Sequence, residues 1–96
     1  KANENSWSIL FSIANVFSYN EYFKEAIQMW QKTFDCMPKP RYTDSFEAMA
    51  QCCVRMGDHE SAVEYYKKEL ELLREDWGLK YGAEVDALGE KIRALQ

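Results

Sequence analysis

The sequence predicts an all-α chain built as a helix-turn-helix repeat solenoid of about five helices. Three observations lead there. Apolar residues recur at i, i+3, i+4 and i+7 in three separate stretches, which lines one face of a helix each time. Pro38, Pro40, Gly57, Gly78 and Gly82 fall between helical stretches, where they stop or turn the chain. No stretch alternates apolar and polar residues between turn signals, as a strand would.

Taken in order, the first helix is expected from about Trp7 to Tyr19, capped by Asn5 or Ser6. The second runs from about Tyr22 to Met37, after Asn20 and before the break at Pro38 and Pro40. The third follows a cap at Thr43 and reaches Met56, with Asp44 and Glu47 suiting its positive end. The fourth starts after Asp58 and continues to about Asp76. The fifth begins near Leu79 or Gly82 and runs to the end. Short helix, tight turn, longer helix, loop is the rhythm of a repeat.

Residue composition narrows the function classes. Ninety-six residues with three Trp, six Tyr and five Phe make one small domain with enough bulk for a core. The net charge of −4 is uneven: five basic and four acidic residues over 1–42, seven and twelve over 43–96. An acidic surface repels phosphate backbones, so no nucleic acid is expected as partner. No apolar run approaches the roughly 18–20 residues of a membrane span, so no membrane is expected either. Cys36, Cys52 and Cys53 are odd in number and form no Cys-x-x-Cys pair. Reduced thiols in an intracellular protein, cytoplasmic or nuclear, are the expectation. With His59 the single histidine, no metal and no cofactor are expected. The chain starts without methionine, and the expectation is a fragment of a larger protein.

The repeat shows in register. Leu10, Ile13, Ala14 and Phe17 match Phe46, Met49, Ala50 and Cys53, and these match Val85, Leu88, Gly89 and Ile92. Each set has a small residue in its third slot, where a partner helix can come close. Sixteen residues after Leu10 and Phe46 stand Ala26 and Ala62. Twenty residues after them stand Trp30 and Tyr66. Pro38 closes the first unit.

These residues resemble the tetratricopeptide repeat, whose pattern is W-x2-L-G-x2-Y, then A-x3-F, then P. The segment Gly57 to Leu72 is similar to the turn and second helix of such a unit. The likeness covers residues 7–95: units at about 7–40 and 43–78, and a partial third unit or capping helix at about 79–96. From Leu10 to Phe46 is 36 residues and from Phe46 to Val85 is 39, against about 34 in the family. Longer spacing resembles the extended-repeat members, such as kinesin light chains and cell-polarity adaptors. Arg74 replaces the second unit's Pro, and Glu69 stands where a small residue is often found.

The resemblance implies a concave groove lined by the first helix of each unit. Phe11, Asn15 and Tyr19 would form one half. Asp44, Glu47, Gln51, Arg55, Asp86 and Glu90 would form the other. The acidic residues suit a basic partner segment. They equally suit an ordinary solvated face, since exposed ion pairs are individually weak. Some family members grip a chaperone C-terminus with Lys, Asn and Arg. Asn15 matches one Asn position here, but Phe11 stands at the expected Lys position and Ala48 at the second Asn position, and the acidic helices would repel a carboxylate.

Other residues have structural readings. His59 matches Phe23 and is expected to pack between helices. Cys53 matches Phe17 and is expected to be buried and inert. Trp30 belongs to a helix pair. No nucleophile, base and orienting group stand together, so no enzyme is expected. The resemblance therefore implies an adaptor or scaffold that binds a peptide or helix of another protein. The alternative is an architectural segment of a longer solenoid, or self-association through the terminal helix, with Val85, Ile92 and Leu95 as its open edge.

Overall fold

The structure is a computed structural model and describes residues 6–96. The cap expected at Asn5 lies outside the described residues. Five helices follow one another: α1 (Ser6–Tyr19), α2 (Phe23–Cys36), α3 (Asp44–Met56), α4 (His59–Trp77) and α5 (Ala83–Leu95). Among the described residues there is no strand, and no helix is long and apolar enough to cross a membrane. Ser6 stands inside α1, not before it. Each helix packs mainly on its sequence neighbours, giving a slab of 38 × 31 × 16 Å.

Three helices end on a residue in the left-handed conformation. Beyond α3, Gly57 takes φ 82° and the Asp58 N–H donates to Cys53 O at 2.8 Å. Beyond α4, Gly78 takes φ 65° and the Leu79 N–H donates to Leu73 O at 2.9 Å. Glycine suits both places because it has no Cβ to clash. After α1 the same turn is made by Glu21 at φ 67°, with the Tyr22 N–H donating to Phe17 O at 2.8 Å. Asp58 then caps α4 by accepting from the Ser61 N–H at 3.1 Å. Thr43 stands at the α3 cap, but its side chain makes no capping bond.

Two adjoining apolar clusters hold the helices together. Ala14, Ala26, Trp30, Phe34, Phe46 and Met49 centre the first. Ala50, Ala62, Tyr66, Leu73, Leu88 and Ile92 centre the second. The small slots Ala14 and Ala50 and the later alanines Ala26 and Ala62 are all fully buried. Trp30 and Tyr66, at equivalent places in the two helix pairs, are buried as well. Close approach of each pair depends on these alanines, because any larger side chain would hold the helices apart. Phe34 of α2 meets Phe46 of α3 with ring centroids 4.4 Å apart, which links one pair to the next.

Several expectations need correction. His59 is exposed, not packed between helices. Its counterpart Phe23 is covered by Arg55, whose guanidinium lies 4.7 Å above the ring. His59 borders an open cleft shared with Val63, Leu95 and Gln96. The apolar edge is not on α5: Ile92 is buried and Val85 and Leu95 are half-buried against the second cluster. It is on α1, where Ile9 is 63 % exposed, Val16 60 % and Ile13 38 %. That face has no helix on it among the described residues, so Ile13 does not share the burial of its counterpart Met49. Gly89 also differs from Ala14 and Ala50, since a Cβ there would meet only the end of Arg93 at 3.6 Å.

Candidate functional site

A polar constellation lies between α3 and α5, over α4. Lys91 of α5 reaches across to Glu47 of α3, Nζ to Oε2 3.1 Å, and lies 5.5 Å from the centroid of the Tyr66 ring on α4. An ammonium held between a carboxylate and an aromatic face gains from both charge and ring quadrupole. Gln51 adds a weaker bond to the same Glu47 oxygen at 3.4 Å.

Beneath this pair lies Glu69 of α4, only 3 % exposed, with Oε1 making no hydrogen bond among the described residues. It occupies the register position of Thr33 in the first pair, three residues after the core aromatic. Thr33 satisfies itself by donating to Met29 O at 2.8 Å. A carboxyl cannot copy that bond while ionised. Burial, followed by the nearby Glu47 charge, pushes Glu69 up from 4.5 to about 7. Lys91 opposes the rise, while Glu84 and Asp44 add to it. Glu69 therefore holds a proton for part of the time at neutral pH.

Next along α4, a cleft of about 380 Å³ opens where α3 and α5 begin and α4 ends. Tyr42 and Trp77 wall it, Leu73 and Leu79 supply apolar surface, and Asp44 and Glu84 supply carboxylates. The two rings lie nearly parallel, 28° apart, with centroids separated by 6.3 Å, and Trp7 tilts at 52° to Tyr42 with centroids 5.6 Å apart. Both wall residues keep nearly half their surface exposed.

The loop after Pro40 fixes this wall. Arg41 grips Asp76 through two guanidinium nitrogens, Nε and Nη2, at 2.8 and 2.9 Å, and its backbone N–H donates to the same carboxylate at 2.8 Å. These bonds hold the Asp76 carboxyl well below the usual carboxylate range. The Trp77 indole N–H donates to Arg41 O at 2.6 Å, and the Arg41 guanidinium lies 4.7 Å from the Phe34 ring centroid. Planar two-point pairing fixes orientation as well as distance. The end of α4 and the segment leading into α3 are thus tied together, which sets Tyr42 beside Trp77.

Of the residues expected in a groove, Glu47 enters the α3–α5 pairing and Asp44 lines the cleft. Gln51 joins Glu47, while Asp86 is exposed. Glu90 is exposed and pairs with Arg93 on its own helix, at 3.6 Å. Asn15 and Tyr19 are exposed on α1. Phe11 is half-buried with its ring 6.4 Å from Trp30, so it belongs to the margin of the first cluster. Arg55 is engaged over Phe23. Sequence reasoning missed Tyr42, Glu69, Trp77, Glu84 and Lys91 as members of one region. Glu69 had a visible signal, a charged residue at a helix-facing slot.

The thiols are not part of this region. Cys52 and Cys53 are buried, and burial pushes Cys53 up to about 11, away from nucleophilic chemistry. Among the described residues no group of three or more His, Cys, Asp or Glu converges to hold a metal ion. No family model, curated protein or solved structure matches the chain.

Proposed function

We propose that the chain is a tetratricopeptide-like interaction module that holds a basic peptide or helix of another protein against α1, α3 and α5. The observation that carries the proposal is the equal burial of equivalent positions, Ala14 with Ala50, Ala26 with Ala62 and Trp30 with Tyr66. That equivalence leaves Asn15, Asp44, Gln51, Asp86 and Glu90 exposed on the first helices. The acidic balance of residues 43–96 favours a basic segment there.

A double charge reversal, Asp44→Lys with Asp86→Lys, tests it. Both residues are exposed but stand in the first turns of α3 and α5, where a cation opposes the helix dipole, so helical content should stay close to wild type with melting lowered by several degrees at most. Affinity for a basic segment selected from a displayed peptide library should fall at least tenfold, measured by calorimetry. Unchanged affinity removes the groove from the account.

A second reading is architectural, and the α1 stripe favours it. Ile9, Ile13 and Val16 lie on one helix face and stay exposed, as a surface covered by a further helix or a second copy would. Sedimentation tests it: a wild type that associates and an Ile9→Lys, Val16→Lys variant that does not would assign the stripe to self-association.

A further inference from the structure

We infer that the cleft beside the stacked rings of Tyr42 and Trp77 is a socket for one lysine side chain of the bound segment. The inference rests on the groove-binding reading above and names what that groove recognises.

Charge, shape and a built-in precedent meet at this place. The cleft volume of about 380 Å³ exceeds that of a side chain, and its walls are aromatic and aliphatic while Asp44 and Glu84 stand on it as acids. Lysine has matching parts: a four-carbon stem that gains from apolar contact, and a compact ammonium that gains from carboxylates and ring faces. An acid-free aromatic cleft would favour an apolar anchor, and an acidic patch without rings would favour no particular cation.

The chain already fills a neighbouring position of the same kind. Lys91 sets its ammonium on Glu47 and over Tyr66. Along α4, Tyr66 and Leu73 are separated by two helical turns, and Glu47 and Asp44 by about one turn on α3. The cleft thus repeats the Lys91 arrangement further along the groove, with Asp44 for Glu47 and Tyr42 and Trp77 for Tyr66. No cation from the described residues forms an ion pair with Asp44 or Glu84.

The buried Glu69 carboxyl supports the same polarity. It sits one turn before the cleft residue Leu73, its Oε1 has no hydrogen-bond partner among the described residues, and it feels the fields of both Asp44 and Glu84. A cation entering the cleft would relieve the crowding of these carboxylates. A divalent metal is not favoured, because among the described residues these acids belong to no group of three or more that could hold a metal ion. The clamp of Arg41 on Asp76, with the Trp77 indole on Arg41 O, holds the wall ready before anything binds.

The test uses the whole chain labelled with ¹⁵N and capped five-residue peptides, Gly-Gly-Lys-Gly-Gly and its norleucine counterpart, followed by NMR. The lysine peptide should shift the Trp77 indole N–H and the backbone of Asp44 and Glu84, with the norleucine peptide at least fivefold weaker. Asp44→Asn with Glu84→Gln keeps the shapes and removes the charges, and should abolish the difference between the two peptides. Equal response to both peptides, or shifts centred away from Trp77, overturns the socket. The library-selected segment separates the two levels. If Asp86→Lys weakens its binding while Asp44→Asn with Glu84→Gln does not, the socket fails and the groove stands. If neither changes binding, the groove reading itself fails.

Discussion

Replacing Glu69 with glutamine keeps the size of the side chain and removes its titration. A carboxyl moved from 4.5 to about 7 by burial costs the folded chain roughly 3 kcal/mol once ionised, at about 1.4 kcal/mol per pH unit. The sign follows from proton binding. Between about 4.5 and 7 the folded chain holds a proton that the unfolded chain has released, so stability falls as pH rises through that window. It is fully present below about 4.5 and lost above about 7. Asp76 runs the other way, but only at pH values below the ordinary carboxylate range. For a chain of this size, whose total stability is about 5–10 kcal/mol, the Glu69 effect is large. Glu69→Gln should match wild type at pH 4.5 and melt more than about 10 °C higher at pH 8. Thermal melts followed by circular dichroism at the two pH values decide it. Equal melting of the two proteins at pH 8, or a Glu69 carboxyl that titrates near 4.5 by ¹³C NMR, refutes the reasoning.

Other outcomes follow from the same structure. Trp30→Ala empties the centre of the first cluster and should cost about 3–5 kcal/mol by urea unfolding, because Trp30 is almost wholly buried. Gly89→Ala should stabilise α5 by up to about 1 kcal/mol, since the added Cβ meets only ordinary contact with Arg93. Arg41→Ala removes the partner of Asp76. It should lower the melting temperature at pH 7 and raise the solvent exposure of Trp77, read by fluorescence quenching. That deficit relative to wild type should shrink as the pH falls and Asp76 becomes protonated.

The helices were legible because their stop signals are chemical and local. Gly57 and Gly78 mark left-handed turns, Asp58 supplies a cap, and Pro38 ends a helix. The turn at Glu21 was not legible as a left-handed one, since nothing about glutamate demands positive φ. Core alanines were legible because a small residue in a fixed register has one physical use. Exposure of Ile13 was not legible for a different reason: periodicity defines an apolar face but not whether another helix covers it. Within the candidate site, the acidic side of α3 was visible. The lysine socket was not, because Tyr42 with Asp44, Trp77 and Glu84 come from three stretches of sequence that only folding joins. Glu69 stood out as an anomaly, but its burial depends on the meeting of α3, α4 and α5.

The central claim is that this chain holds a partner segment on the exposed faces of α1, α3 and α5. The most direct measurement is an NMR titration of the ¹⁵N-labelled chain with the selected basic segment. The account predicts perturbed amides around Asn15, Asp44, Gln51, Asp86 and Glu90, with little change at outward positions of α2 and α4 such as Gln28 and Lys67. Perturbations confined to α2 and α4 would contradict it.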